Sequence, residues 1–271
     1  MTGTLDMTDL GEKISQLLKS FKLPTMSAEL VPRLVRSGHT EALEVIHEVL
    51  EMERQDRWDR RVARLRYRSK LPPGKTFETL ELKRFARPLT AKLRELSRGD
   101  FADQAINVLA FGLPGTGKSH AASALGHALV ESGHSVLWIP TFKLVQDLLT
   151  AKRELELPKA LRKLDTFDAI ILDDIGYVQQ APEEVEVLFT LLAERYERRS
   201  VVITSNLVFS QWDQIFKNPM TTAAAIDRLV HHCVILEFDV PSYRSQRNAK
   251  RVDEPEPTPP RPKPKARRKK R

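Results

Sequence analysis

The chain has 271 residues, a net charge of +8 and one cysteine, Cys233. Its length allows one mid-sized core with a smaller appendage, and a lone cysteine excludes an intramolecular disulfide framework. The sequence begins without the basic and apolar runs of a secretory signal, and it has no stretch of roughly 18 apolar residues that could cross a membrane. We therefore expect a soluble protein of the reducing cytoplasm with no membrane partner.

The charge changes sign in blocks along the chain. Counted from the sequence, the net charge is −4 over residues 1–53, +10 over 54–98, −7 over 99–240 and +9 over 241–271. An acidic body flanked by two strongly basic segments is typical of a protein that binds a polyanion. For the last segment, a solubilising charge excess is an equally good interpretation.

The first quarter of the sequence predicts three helices. Residues 10–21 and 27–36 have helical patterns, and Thr25 or Ser27 could cap the second helix. Residues 39–70 contain neither proline nor glycine and are mostly strong helix formers, which predicts one long helix.

The pattern then changes to alternating strands and helices. Residues 77–100 predict a connecting segment with a short helix starting near Pro88. The predicted strands span residues 106–111, 135–139, 168–172, 201–204 and 233–238. Nearly continuous apolar runs of this kind are typical of parallel strands buried on both faces. The expected fold class is therefore α/β with right-handed crossovers.

The composition divides the chain into four parts. We expect a helical N-terminal domain at 1–70 for DNA or partner binding, a linker at 71–100, an α/β body at 101–247 and a disordered tail at 248–271. In the tail, proline, lysine and arginine replace apolar residues, so it cannot contribute to a core.

A phosphate-binding motif lies between the first predicted strand and the following helix. Its glycines let backbone N–H groups turn inward around phosphates, and the helix N-terminus adds a positive end. In this motif Lys118 reaches the β- and γ-phosphates, and the Ser119 hydroxyl ligates Mg²⁺. A merely structural glycine turn is a weak alternative in this context, so ATP and Mg²⁺ are the expected cofactors. The predicted nucleotide-binding residues are Gly112, Pro114, Gly115, Thr116, Gly117, Lys118, Ser119 and His120.

Two further predicted strands end in polar side chains. Asp173 and Asp174 follow an apolar run, and Ser205 and Asn206 follow the next strand. Because parallel strands end at one edge of a sheet, these groups should lie near the phosphates. We expect Asp173 to hold Mg²⁺ and Asp174 to polarise the attacking water. An ordinary strand end is the alternative for the carboxylates, and turn chemistry is a stronger alternative for Asn206.

These motifs resemble those of the IstB-like AAA+ ATPases, transposition helper proteins related to the DnaC helicase loader and the DnaA initiator. The shared features are the P-loop, Ile-Leu-Asp-Asp-Ile-Gly at 171–176, Thr-Ser-Asn-Leu at 204–207, Trp212, Asp-Arg-Leu at 227–229 and Ser-Tyr-Arg at 242–244. The resemblance covers about residues 10–247. Two positions depart from it: Ser119 stands where the family more often has Thr, and Asp174 stands where many relatives have Glu.

The resemblance implies an AAA+ P-loop fold with a five-stranded parallel sheet and the P-loop strand near its centre. It also implies that Asn206 is the sensor 1 residue and that Arg228 is an arginine finger acting on the ATP of a neighbouring subunit. Arg244 is similar to an arginine that some relatives place near the phosphates. Without the resemblance, Arg228 would be interpreted as a surface ion pair.

The long predicted helix carries a stripe of arginines. Spacings of three and four residues place on one face Arg54, Arg57, Arg61, Arg64 and Arg68. A stripe of one sign favours contacts with DNA phosphates over an ordinary solvated face, which would mix signs. Docking on an acidic protein surface is the alternative.

A second basic set lies at 142–164, between the second and third predicted strands, where the chain is longer than a simple crossover needs. A helix break is expected near Pro158, and the basic residues are Lys143, Lys152, Arg153, Lys159, Arg162 and Lys163. The resemblance implies an extra helix here that lines a DNA channel. Neither basic set contains a base-reading motif, so binding to duplex DNA should be largely independent of sequence.

Together these features predict an ATPase that assembles as a homo-oligomer on target duplex DNA. As the resemblance implies, it would recruit and stimulate a partner transposase, and ATP hydrolysis would reset the complex. A DnaC-type replicative helicase loader is the closest alternative, because it shares the ATPase motifs. A small-molecule P-loop kinase is disfavoured, because neither lid arginines nor a substrate pocket can be recognised.

Overall fold

The structure is a computed structural model that describes residues 7–177, 181–212 and 219–243. Its first three helices pack together and are α1 (Met7–Ser20), α2 (Pro24–Arg36) and α3 (Ala42–Ser69). Their shared core consists of Leu10, Ile14, Leu18 and Leu43. All three predicted helices are therefore present, with ends within a few residues of those expected. Every helix within the described ranges is too short or too polar to span a lipid bilayer.

The predicted N-caps of α2 are wrong. Helix α2 begins at Pro24, so Thr25 and Ser27 lie inside it, and Leu23 before it makes no side-chain cap bond. Proline suits the first turn because the N–H that it lacks would have no helical partner there. Ser27 is instead buried, and its hydroxyl donates to the Ser15 carbonyl at 2.9 Å, which ties α2 to α1.

Helices and strands alternate through the rest of the described chain. The strands are β1 (Asn107–Gly112), β2 (Val136–Pro140), β3 (Ala169–Asp173), β4 (Ser200–Ser205) and β5 (Cys233–Phe238). The helices are α4 (Arg87–Leu96), α5 (Asp100–Asp103), α6 (Lys118–Glu131), α7 (Thr141–Arg153), α8 (Leu157–Asp165), α9 (Pro182–Arg195) and α10 (Pro219–Val230). Each predicted strand is confirmed to within one residue, and the α/β fold class is confirmed.

The five strands form one parallel sheet with the order β2-β3-β4-β1-β5. Their carboxyl ends share one edge, which brings the end of β3 to the same side of the sheet as the end of β1. The P-loop strand lies near the centre of the sheet as expected, because β1 pairs with the central strand β4 on one side and with the edge strand β5 on the other. Strand β4 therefore separates the P-loop strand from β3.

Both faces of the sheet are covered, which explains why the strands are nearly continuous apolar runs. Side chains of α7, α8, α9 and α10 bury one face. The other face packs against α6 and against the segment predicted as a linker at 71–100, which contributes buried Leu71, Phe85 and Leu93. That segment is thus part of the core beside the P-loop.

Candidate nucleotide-binding site

The P-loop connects β1 to α6 as predicted. Gly112, Gly115 and Gly117 have φ values of 152°, 82° and 106°, which residues with side chains rarely adopt. Helix α6 begins at Lys118, so its first backbone N–H groups face the loop. The Lys118 side chain is buried, and its ammonium donates to the carbonyls of Gly112 at 2.6 Å and Leu113 at 2.9 Å. The loop therefore has the backbone geometry and the cation that phosphate binding requires.

A cleft of about 350 Å³ lies beside the P-loop. Residues 115–120 form one wall, and the segment 75–85 and Tyr243 form the others. The N–H of Tyr243 donates to the Gly115 carbonyl at 2.9 Å, and the guanidinium of Arg84 lies 5.1 Å from the Tyr243 ring. A cleft with aromatic and cationic walls next to the phosphate loop fits the nucleoside part of a nucleotide.

Two P-loop residues contact the segment 75–85 directly. Nε2 of His120 lies 3.0 Å from Thr79 Oγ1 and 3.2 Å from the Thr76 carbonyl oxygen. Burial lowers the pKa of His120, which favours the neutral ring over the charged one. A Cβ at Gly117 would lie 3.2 Å from the Phe85 ring, so this position has little space for a side chain. The sequence predicted His120 in the site but no role for the segment that it contacts.

Thr204 connects the two acidic residues that follow one another at the end of β3. It lies in β4, pairs with Ala110 of β1 and is 1% exposed. Its hydroxyl donates to Asp173 Oδ1 at 2.8 Å and accepts the N–H of Asp174, also at 2.8 Å. Asp174 has a φ of 60°, in the left-handed region that Asp tolerates better than most residues. Thr204 therefore fixes both the Asp173 carboxylate and the backbone that carries Asp174.

Replacing Thr204 by valine should lower both the melting temperature and the rate of ATP turnover, whereas Thr204→Ser should behave like the wild type. Valine keeps the shape but takes the hydroxyl acceptor away from the half-buried Asp174 N–H, which costs roughly 1–3 kcal/mol. In a domain of this size each kcal/mol lowers the melting temperature by about 2–4 °C. Thermal denaturation and the Mg²⁺ dependence of turnover would be measured. A valine variant with wild-type values of both would show that the hydroxyl does not organise the site.

Asn206 follows β4 and lies against the turn after Asp174. Its amide oxygen occupies the space that a side chain at Gly176 would need, so a larger residue at 176 would displace the Asn206 amide. This oxygen is buried and has no hydrogen-bond partner among the described residues. Such an acceptor is available to a water or a ligand. The role of Asn206 in orienting a water stays a prediction.

Arg228 lies in the last turn of α10, at the opposite edge of the sheet from its own P-loop. The next residue, Leu229, accepts a bond from Asn107 Nδ2 at 3.2 Å, and Asn107 begins the strand that Gly112 ends. The length of β1, about 17 Å, separates these two positions. The Arg228 guanidinium stacks on Phe189 at 4.9 Å and forms no ion pair within the described ranges. The predicted ion pair is therefore not observed, and the side chain is too short to reach the phosphates of its own subunit.

The five arginines of the predicted stripe lie on α3, but three of them contact residues outside that helix. The guanidinium groups of Arg57 and Arg68 stack on phenylalanine rings at 4.2 and 5.4 Å. Arg61 donates to a backbone carbonyl just after α6 at 3.0 Å. Arg54 pairs with a glutamate one turn earlier at 2.6 Å, and Arg64 is exposed with no partner among the described residues. The stripe thus contributes to packing, and among the described residues Arg54 and Arg64 are its two members with no contact outside α3.

The second basic set lies on α7 and α8, which are separated at residues 154–156, close to the predicted break near Pro158. Three lysines of this set form ion pairs with nearby carboxylates: Lys143, Lys152 and Lys159. The other three members are exposed and form no ion pair in the part of the chain that is described: Arg153, Arg162 and Lys163.

A groove of about 700 Å³ separates the end of α3 from α7 and α8. Arg68 and Lys70 line it from the α3 side, Lys163 lines it from α8, and Asp147 lines it from α7. Tyr67, which is 87% exposed, stands at the same groove. The structure therefore brings one member of each predicted basic set, Arg68 and Lys163, to the same groove, although they are far apart in the sequence.

Some predicted residues lie outside the described residues. These are Arg244 and the basic tail at 248–271, so their predicted roles stay untested. Conversely, the sequence did not single out Thr204, Arg84 or Tyr243 as parts of the site. The one available signal was the inclusion of Thr204 and Tyr243 in the short motifs that carry the family resemblance.

Three features define the class of protein: the P-loop at the end of β1, the paired acidic residues after β3, and the position of β4 between these two strands. They are the features of an ATP-binding P-loop protein of the AAA+ type. The chain belongs to the IstB-like ATP binding protein family, whose profile matches residues 16–251. It is 42% identical over 255 residues to an insertion sequence ATP-binding protein from Sinorhizobium fredii, which covers 92% of this chain and 84% of the relative.

Solved structures share the fold. The chain matches the DnaC helicase loader with a TM-score of 0.50 and 16% identity, over 56% of this chain and 89% of that one. It matches AMPPCP-bound DnaA from Aquifex aeolicus with a TM-score of 0.54 and 15% identity, over 69% of this chain and 57% of that one. At such low identity the likeness establishes the fold alone.

Proposed function

We propose that this protein hydrolyses ATP and uses the nucleotide to assemble as an oligomer on target duplex DNA, where it recruits and stimulates a transposase. Hydrolysis then resets the complex. The observation that carries the DNA part of this proposal is the basic face of α3, where Arg54 and Arg64 are exposed and which continues to the groove lined by Arg68 and Lys163. The P-loop and the Asp173–Thr204–Asp174 arrangement support the ATPase part.

The proposed hydrolysis uses groups at the carboxyl edge of the sheet. P-loop N–H groups and Lys118 bind the phosphates, while Ser119 and Asp173 offer the oxygen ligands that Mg²⁺ prefers. Bound Mg²⁺ would neutralise charge on the phosphate oxygens. Asp174 accepts a proton from a water that Asn206 orients, as the water oxygen attacks the γ-phosphorus and the bond to the β-phosphate oxygen breaks.

The position of Arg228 supports a site that is completed by a second subunit. Because β1 separates Arg228 from its own P-loop, we propose that its guanidinium stabilises transition-state charge on the ATP of a neighbour. Nucleotide turnover would then require the oligomer, so assembly and hydrolysis would be coupled.

The proposed partner comes from the relatives. The relative at 42% identity is named an insertion sequence ATP-binding protein, whereas the likeness to the helicase loader is one of fold at 16% identity. We therefore favour delivery of DNA to a transposase over loading of a helicase. The DNA contacts would be made to phosphates, which carry no sequence information, so binding should be largely independent of sequence.

The DNA proposal is tested by the salt dependence of affinity. Changing Arg54 and Arg64 together to alanine should weaken binding to unrelated duplexes equally and leave ATP binding intact. These two arginines can be removed without disturbing the ring contacts that hold Arg57 and Arg68. Each lost phosphate contact lowers the slope of log affinity against log salt by about 0.9, so the slope should fall by about 2. Fluorescence anisotropy with labelled duplexes, at several salt concentrations and with ATP present, measures this slope.

A matched control removes the same charge from α2. Arg33 pairs with a glutamate at 3.0 Å, as Arg54 does, and Arg36 is exposed, as Arg64 is. Changing Arg33 and Arg36 to alanine should leave the slope unchanged.

Deleting residues 253–271 measures how much the basic tail contributes to the salt dependence of DNA affinity. If that deletion removes most of the salt dependence while the Arg54 and Arg64 variant keeps the wild-type slope, α3 does not bind DNA and an acidic protein surface becomes its expected partner.

A further inference from the structure

Three side chains of types that can bind a metal meet at the amino-terminal edge of the sheet, on the side away from the P-loop. Glu197 follows α9, and His231 and His232 form the turn between α10 and β5. One potential ligand atom of each lies within 4.8 Å of those of the other two. Oε1 of Glu197 is 3.5 Å from Nδ1 of His231 and 3.8 Å from Nε2 of His232. In the described ranges, no other group of three such side chains lies this close together.

The backbone around this cluster is held by the folded body. The N–H of Asn107, at the start of β1, donates to the His232 carbonyl at 2.8 Å, and the N–H of His231 donates to the Asp227 carbonyl at 3.0 Å. Glu197 has a φ of 55°, the left-handed conformation that often ends a helix. The three ligands are thus brought together by rigid elements and do not depend on a long loop.

We infer that Glu197, His231 and His232 form a binding site for a late first-row divalent metal ion such as Zn²⁺. Two imidazoles and one carboxylate are ligands that such ions accept, with bonds of about 2.0–2.2 Å. In tetrahedral geometry these bond lengths separate two ligand atoms by roughly 3.4 Å. The two distances to Glu197 Oε1 are close to that value, so small rotations of exposed side chains complete the arrangement. Water would fill the remaining coordination position.

This site differs from the magnesium site proposed at the P-loop. Mg²⁺ takes oxygen ligands in octahedral geometry and does not favour two imidazoles. The hydroxyl of Tyr196 lies 3.1 Å from Nδ1 of His231, and the bound metal would displace that contact. The competing pairs between Glu197 and the histidines are exposed, so their loss costs little.

An ion at this position would join the end of α9 to the turn that follows α10. Arg228 lies three residues before His231, and its guanidinium stacks on Phe189 of α9. The metal would therefore restrain the pair of helices that carries Arg228. This consequence for turnover rests on the proposed function, whereas metal binding itself does not.

The test is a titration of the full-length, nucleotide-free protein with Zn²⁺ in competition with a chromophoric chelator, with Co²⁺ absorbance as a second probe. We expect one equivalent of Zn²⁺ to bind and the Co²⁺ spectrum to be that of a site with nitrogen and oxygen ligands. Losing even a group that supports a metal ligand costs about 10- to 100-fold in affinity. His232→Ala and Glu197→Gln should therefore each weaken binding at least about 10-fold.

His39→Ala is the matched control. Nδ1 of His39 lies 3.7 Å from a Glu41 carboxylate oxygen, but this exposed pair has no second histidine. Its loss should leave Zn²⁺ affinity unchanged. The inference is overturned if the wild type takes up no stoichiometric Zn²⁺, or if His232→Ala and Glu197→Gln bind it as tightly as the wild type. ATP binding by the variants would confirm that they are folded. The Zn²⁺ titration does not depend on ATP hydrolysis, so absence of ATPase activity would contradict the proposed function and leave the Zn²⁺ affinities unaffected.

Discussion

Changing Lys118 to alanine should weaken ATP binding by about 10- to 100-fold, because a hydrogen bond to a charged group contributes about 1.5–3 kcal/mol. ATP-dependent assembly should be lost as well, and turnover should fall further, since the ammonium also stabilises charge that develops during phosphoryl transfer. The structure places this ammonium at the loop carbonyls of Gly112 and Leu113, beside the first turn of α6. Titration with a fluorescent ATP analogue and size measurement with ATP would give both effects.

Lys92→Ala is a matched control for this change. Its ammonium also donates to a backbone carbonyl, that of Ile235 at 3.2 Å, but it is exposed and does not line the cleft. It should bind ATP like the wild type. Unchanged ATP binding and assembly by Lys118→Ala would contradict the assignment of the P-loop.

Mixing Lys118→Ala with Arg228→Ala protein should partly restore hydrolysis if Arg228 acts on the ATP of a neighbouring subunit. Absence of restored hydrolysis at every mixing ratio would argue against Arg228 acting in trans.

Changing Asp174 to asparagine should lower ATP turnover by about 10²- to 10⁴-fold while ATP affinity stays nearly unchanged. That range is the usual contribution of a positioned acid or base, and the carboxylate acts on the water and not on the bound nucleotide. Asparagine tolerates the left-handed backbone as well as aspartate does, so the φ of 60° should be kept and only the charge lost. An ATP-bound oligomer should therefore accumulate on DNA. Steady-state turnover and nucleotide affinity are the measurements.

Two other aspartates show whether a loss of turnover is specific to the proposed base Asp174 or follows from losing the proposed metal ligand or any carboxylate. Asp173→Asn should raise the Mg²⁺ concentration needed for turnover, because its carboxylate is the proposed metal ligand held by Thr204. Asp147→Asn changes an exposed carboxylate paired with Lys143 and should leave turnover unchanged. If Asp174→Asn instead lost ATP binding while Asp173→Asn retained it, the roles of the two carboxylates would be reversed.

The parts of the site that could be predicted from sequence are local ones. The P-loop occupies consecutive residues between a strand and a helix, so its glycines and Lys118 could be assigned before any tertiary contact was known. The role of Thr204 could not be assigned in this way. Its hydroxyl acts on Asp173 and Asp174 from another strand, and that contact exists only because β4 pairs with β3.

The arginine stripe is a second example in which the sequence pattern did not reveal contacts with distant parts of the chain. Its spacing correctly placed five arginines along one face of α3, because helical periodicity depends only on the residues of that helix. Spacing carries no information about what packs against the face. The rings of Phe21 and Phe167 come from distant parts of the chain, and they use Arg57 and Arg68 for packing. The arginines that are not used for packing could therefore be identified only from the structure.

The sequence by itself determined the α/β class, the strand positions, the P-loop and the blocks of charge, since each depends on neighbouring residues and on short periods. Only the tertiary structure decided the order β2-β3-β4-β1-β5, the use of the segment 71–100 as part of the core and the cleft, and the placement of Arg68 and Lys163 at one groove. It also brought Glu197 to the histidines that follow α10. The physical reason is that local pattern specifies which face of an element is apolar, whereas the partner that covers that face is selected by packing between elements far apart in the chain.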